Sequence, residues 1–142
     1  MDNLKIEYLA PGQLTPYVNN ARTHSPEQID QIAASIKEFG FINPILVDER
    51  GVIVAGHGRL AAAHKLGMSQ VPVIYLKHLT EIQRRGLIIA DNRIAMNAGW
   101  DEELLKIELE ALQIEDFDLD LLGFDPTEID NILFSDEEDT SE

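Results

Sequence analysis

The sequence predicts an α+β fold: a small mixed sheet flanked by helices, followed by a C-terminal helical extension. Three observations carry that reading. Short apolar runs at 44–48, 52–54 and 71–76 are bounded by Gly, Pro and Asp, which is the pattern of strands. Segments with apolar residues at helical spacing lie around them, all but the one after the glycine turn at 56–58 opened by Ser, Thr or Asp. The two patterns are short and interspersed, with no internal repeat and no long low-complexity segment.

Taken in order, IEYL starts as a short strand and is broken by Pro11-Gly12 and Pro16. Asn19-Asn20 to His24 reads as a loop. Ser25-Pro26-Glu27-Gln28 is a helix start, with Ser as the cap and Pro at the first helical position. Ile29, Ile32, Ala33, Ile36 and Phe39 line one face of that helix, which stops at Gly40. Pro44 to Asp48 and Val52 to Val54 read as strands joined by the turn Glu49-Arg50-Gly51. A helix from Arg59 to Leu66 ends at Gly67, and Val71 to Leu76 is a strand whose Pro72 suggests an edge or a strand start.

Thr80-Glu81-Ile82-Gln83 is a capping box opening a helix that Asn97-Ala98-Gly99 breaks. Arg84-Arg85 reads as an exposed face of it, and Trp100 as a staple onto the core. Asp101 caps a helix to about Gln113, and Asp125-Pro126 starts a last short one. The expected division is a core domain over 1–100, an acidic helical extension over 101–134, and a disordered acidic tail over 135–142.

Composition narrows the function. The chain has 142 residues, no cysteine and a net charge of −15. Disulfides, thiolate metal sites and cysteine nucleophiles are therefore excluded, in keeping with a reducing cytosol. No apolar run approaches signal-peptide or membrane-span length, so the sequence predicts a cytoplasmic protein without a membrane partner. Residues 1–100 hold ten Lys+Arg and nine Asp+Glu, whereas residues 101–142 hold Lys106 alone against seventeen acids. Such an acidic extension repels a phosphate backbone and is wrong for a groove-facing helix, so no DNA-reading helix-turn-helix is expected there.

The stretch IVAGHGRLAAAHKLG at 53–67 carries the chemistry. Glycines at 56 and 58 permit unusual dihedrals and close approach of a ligand. A strand-to-helix turn leaves the first helical amides unpaired at the positive end of the helix dipole, which suits an anion. Arg59 adds a planar fork for phosphate oxygens, and His57 a hydrogen bond or a neutral base. The turn matches neither the dinucleotide fingerprint nor the P-loop, and a plain tight connection is the alternative.

The order of Arg22, the capped helix, PILVD, VIVAGHGRLAAAHKLG, VPVIYL and ADNRIAMN resembles the ParB N-terminal domain of the ParB/sulfiredoxin fold. Partition ParB proteins carry Gly-Glu-Arg-Arg at the turn, sulfiredoxins Gly-Cys-His-Arg, and a free-serine kinase of that fold Gly-His-His-Arg. Here Gly56, His57 and Arg59 match the kinase turn, Gly58 departs from it, and the missing Cys removes the reductase chemistry. The longer match through ADNRIAMNAGWDEELL resembles ParB-like modules of phage and prophage, often set ahead of a DNA methyltransferase. No Asp/Asn-Pro-Pro-Tyr motif occurs in these residues, so methyl transfer is not this chain's own chemistry.

The resemblance implies a nucleoside triphosphate, CTP or ATP, with its phosphates on Arg22, Gly56, His57, Gly58 and Arg59. It also implies Mg²⁺ on Asp91 and Asn92, which match the Glu-Asn pair of partition ParB proteins with a shorter carboxylate. Arg93 does not fall where that pattern has its arginine. The expected function is a nucleotide-binding regulatory module tied to DNA segregation or modification, with a homodimer or a linked DNA-modifying enzyme as partner. The alternatives are a phosphotransferase or ParB-like nuclease with His57 or Glu38 as base, and a DNA-targeting adaptor. His24 and His64 are read as loop-shaping and surface residues.

Overall fold

The computed structural model describes residues 4–18 and 23–134. The loop at Asn19-Asn20, Arg22 and the acidic tail at 135–142 lie outside the described residues. The chain divides into two compact units, residues 1–97 and residues 98–142.

The first unit holds β1 (Ile6–Leu9), α1 (Pro26–Phe39), β2 (Ile45–Val47), β3 (Ile53–Ala55), α2 (His57–Leu66), β4 (Val71–Tyr75) and α3 (Glu81–Asn97). The strands form one sheet in the order β1-β4-β2-β3. β4 pairs antiparallel with β1 and parallel with β2, while β2 and β3 form an antiparallel hairpin. The sheet is therefore mixed, and β4 is interior. Pro72, paired with Tyr8, is the second residue of an interior strand, so the edge alternative fails and the strand-start one stands.

Strand alternation divides the core. Ile45, Val47, Ile53, Val71 and Val73 pack with Leu14 and with Leu60 and Ala63 of α2. Val54 packs with Leu76 and with Ile88 of α3 on the other side, where Leu46, Ile74 and Tyr17 join them. Burying each such side chain contributes roughly 1.5–3 kcal/mol, enough to seat a helix on each face. α1 lies on α2, with Asp30 of α1 ion-paired to Lys65 of α2.

Local chemistry sets the helix ends. Ser25 Oγ accepts the Gln28 amide at 3.1 Å. Thr80 and Gln83 satisfy each other's amides at 3.1 and 2.9 Å, the reciprocal box expected of that spacing. The segment after a 3-10 turn at Pro11–Gln13 runs beside β3, with Thr15 bonded through its backbone to Gly51 and Ile53. That contact delivers Tyr17 to the start of α2.

The second unit contains α4 (Glu102–Ile114), a 3-10 turn (Leu119–Leu122) and α5 (Pro126–Phe134). Asp101 caps α4, and Asp125 and Glu128 form a reciprocal box on α5. Leu109, Ile129 and Leu133 are its buried centre. Trp100 is 68% exposed and its ring lies 5.8 Å from that of Phe124, so it is a partner of this unit's loop and not the core staple its position suggests.

Candidate functional site: an anion cavity at the start of α2

β3 ends at Ala55, and the chain turns on Gly56 into α2. Gly56 has φ +110°, where an L side chain is strained, and a Cβ there would stand 3.1 Å from Ile45 Cγ1 and 3.2 Å from Arg59 Nη2. No side chain among the described residues caps this helix end. Its first intrahelical bond is Leu60 N–H to Gly56 O, so the amides of His57, Gly58 and Arg59 have no acceptor within the helix. Unpaired amides and the dipole's positive end together favour an anion.

The turn opens on a cavity of about 310 Å³, whose lining includes His24, Gly56, His57, Arg59, Asp91 and Asn92. Five of these six are residues that the sequence reading singled out as site residues. α2 supplies the turn, α3 supplies the acid–amide pair, and the loop before α1 supplies His24.

Arg59 is half-buried, and its Nη2 donates to the Pro44 carbonyl at 3.0 Å. Its Nε is buried with no partner among the described residues. No carboxylate among the described residues lies within ion-pair distance of it. Burial lowers its pKa from the ordinary arginine value, and the Asp91 charge opposes that shift. A desolvated guanidinium with unused donors at a cavity wall is strongly disposed toward an anionic oxygen.

His57 has a different position from the one its residue type suggests. Its Nε2 accepts the Tyr17 amide at 3.0 Å, which fixes the ring as neutral with the proton on Nδ1. Burial first, and repulsion by His24 second, lower its pKa from 6.5. The lone pair a general base would use is thus already engaged.

Gly58 is also explained by the protein itself. A Cβ on it would meet Ile32 Cδ1 at 2.8 Å and the His24 ring at 3.0 Å. The second glycine makes room for α1 and His24, and it also lines the cavity. His24, read from sequence as loop-shaping, therefore belongs to the cavity, and its buried Nδ1 has no partner among the described residues. Only its closeness to Arg22 in sequence hinted at this.

Asp91 is exposed at the cavity, and Asn92 donates from Nδ2 to the Ile88 carbonyl at 2.9 Å. That bond orients the amide and leaves Oδ1 as an acceptor. A carboxylate and an amide oxygen suit Mg²⁺, which takes one or two protein ligands beside phosphate and water. Among the described residues there is no cluster of three His, Asp or Glu that would hold a metal by itself. The donor set fits a phosphate-borne Mg²⁺ and not a free-standing metal site.

Glu38 is exposed near the end of α1 and is not part of the cavity lining. Arg22 lies outside the described residues. His64 and Arg93 are exposed, and neither lines the cavity. Arg84 corrects the sequence reading: it is 8% exposed, not a solvated face. Its guanidinium faces the Asp48 carboxylate at 3.6 Å, a burial that depends on a partner far away in sequence.

Residues 1–92 match the family model of the ParB N-terminal domain, and residues 103–142 match that of the ParB-methyltransferase HTH domain. The second match overturns the expectation that no helix-turn-helix follows. That expectation rested on charge, since Lys106 is the one basic residue after position 100. The ParB-like nuclease domain-containing protein YnaK of Escherichia coli (strain K12) is 54% identical over 84 residues, which are 59% of this chain and 97% of that protein. A probable chromosome-partitioning protein ParB of Campylobacter jejuni is 30% identical over 92 residues, 63% of this chain and 31% of that one. The chain thus spans about a third of that partitioning relative's length. The C-terminally truncated chromosome-partitioning protein ParB from Caulobacter crescentus, complexed with CTP-gamma-S, shares the fold with a TM-score of 0.74. It is 21% identical and the match covers 91% of this chain and 77% of that one. No helix among the described residues is long and apolar enough to cross a membrane.

Proposed function

This chain belongs to the ParB N-terminal domain family, and from that premise we propose that its first unit is a nucleoside-triphosphate-binding regulatory module. CTP is the first candidate, because the Caulobacter neighbour is complexed with a CTP analogue, and ATP is the alternative. The phosphates would sit on the amides at 57–59 and on the Arg59 fork. Asp91 and the Asn92 Oδ1 hold the Mg²⁺, whose charge offsets that of the phosphates.

The observation that carries this reading is the half-buried Arg59 guanidinium at the cavity wall, its buried Nε without a partner among the described residues, beside an uncapped helix end. A bound polyanion satisfies both deficits at once. Because the phosphate grip is on α2 and the acid–amide pair is on α3, occupancy holds these two helices in one arrangement. The proposed output is a change in how the module pairs, with a second copy or with a linked DNA-modifying enzyme. The match of residues 103–142 to a helix-turn-helix domain supports DNA as the setting.

The enzyme reading, phosphotransferase or nuclease, has His57 or Glu38 as its base. His57 Nε2 is engaged by Tyr17, and Glu38 does not line the cavity, so the binding function is preferred. Titration calorimetry with CTP, ATP, ADP and GTP in Mg²⁺ tests it. Saturable heat with at least one triphosphate is expected. No heat with any of them overturns the proposal.

A further inference from the structure

Arg84 is a buried cation that the proposed site does not use. Its side chain is 10% exposed and faces Asp48 Oδ2 at 3.6 Å, with Glu81 at 3.9 Å on its other nitrogen. Asp48 is fixed before it meets Arg84, because its Oδ1 accepts the amides of Arg50 and Val52 at 2.8 and 3.0 Å across the β2–β3 turn. The Arg84 guanidinium also lies over the Tyr17 ring, 5.6 Å from its centroid. Tyr17 is the residue whose amide is donated to His57 Nε2.

Helix geometry adds a second link. Residues four, seven and eight positions after Arg84 are Ile88, Asp91 and Asn92, on the same face of α3. Ile88 is buried against the sheet, while Asp91 and Asn92 reach the cavity. One guanidinium therefore faces the hairpin carboxylate and the ring of Tyr17, the residue whose backbone amide is donated to His57, and it stands on the helix that carries the acid–amide pair. A leucine at position 84 would fill the space, but it would neither hold Asp48 nor bind the face of Tyr17.

We propose that Arg84 is a positioning residue of the anion cavity: bridging Asp48 and Tyr17, it sets the His57 tautomer at the start of α2 and the seat of Asp91 and Asn92 on α3. It touches no ligand itself. The effect on affinity rests on the nucleotide reading, whereas the effect on His57 does not.

The experiment uses the full chain labelled with ¹⁵N, as wild type, Arg84→Ala, Arg84→Lys and Asp48→Asn. Asp48→Asn keeps an acceptor for the Arg50 and Val52 amides and removes only the charge, so it serves where Arg84→Ala fails to fold. The His57 ring nitrogens are read at pH 7.5, together with Mg²⁺-CTP affinity. In wild type, the shifts show one tautomer, with Nδ1 protonated and Nε2 accepting. Arg84→Ala and Asp48→Asn are expected to mix the two tautomers and weaken the nucleotide by about tenfold, with Arg84→Lys restoring part of both. A folded Arg84→Ala or Asp48→Asn chain with the wild-type His57 signature overturns the proposal. Mixed tautomers in the variants, with no nucleotide bound even by wild type, uphold the positioning role and overturn the nucleotide reading alone.

Discussion

The His24 imidazole stands 3.0 Å from the place where a Cβ on Gly58 would be, and Ile32 Cδ1 closes the same space at 2.8 Å. Two helices and a loop converge on that missing side chain. The glycine is there so that α1 can approach α2, and the cavity's third wall depends on it.

Gly58→Ala is accordingly expected to destabilise the first unit. Overpacking costs about 1–3 kcal/mol, partly offset by up to about 1 kcal/mol of helix propensity. The nearest clash is with the tip of a side chain, so adding Ile32→Val should recover part of the loss. Denaturant melts of the single and double variants check this, and strict additivity of the two changes would contradict it.

His57 links stability to acidity. Burial and His24 lower its pKa in the folded chain from 6.5, so the unfolded chain binds the proton more readily. The stability from neutral His57 is fully present above about pH 6.5 and is lost as pH falls through the lower folded value. His57→Gln, which keeps an acceptor for the Tyr17 amide, removes the titration. Melting temperatures from pH 8 to 5 should fall more steeply in wild type than in His57→Gln, and parallel profiles would contradict the assignment.

Asp91 has two opposite effects on a bound triphosphate. Its carboxylate repels bare phosphate oxygens yet binds the Mg²⁺ they carry. Asp91→Asn should therefore reduce the gain in affinity that Mg²⁺ confers by about tenfold, while metal-free binding stays equal or improves. Calorimetry with and without EDTA measures both terms. An equal loss in both conditions would make Asp91 a contact to the nucleotide and not to the metal.

Leu109 is 1% exposed and centres the second unit. Leu109→Ala should cost about 2–5 kcal/mol and unfold that unit first. Hydrogen exchange should then rise in α4 and α5 while β2 and β4 keep their protection. Uniform loss across both units would show that they fold as one.

The parts of this fold that were legible in the sequence are those set by neighbours along the chain. Ser25, Thr80, Asp101 and Asp125 each cap a helix through a bond to a residue three positions on. The strands followed from continuous apolar runs, and the turn at Gly56 from its glycine and its place between strand and helix. What stayed hidden depends on partners distant in sequence. Arg84 is buried because Asp48 and Tyr17 meet it, and His57 is engaged by an amide forty residues away. His24 joins the site only because Gly58 leaves room for its ring. The helix-turn-helix match escaped because the segment's acidity masks the pattern that marks a DNA-facing surface.

The central claim is that the Arg59 fork grips phosphate. The most direct test is Mg²⁺-CTP and Mg²⁺-ATP affinity by calorimetry in wild type, Arg59→Ala and Arg59→Lys, with circular dichroism and melting as controls for the fold. Loss of a buried charge-assisted contact of about 1.5–3 kcal/mol predicts at least a tenfold weaker Kd for folded Arg59→Ala, with Arg59→Lys in between. A folded Arg59→Ala chain that binds the triphosphate as tightly as wild type would contradict the account.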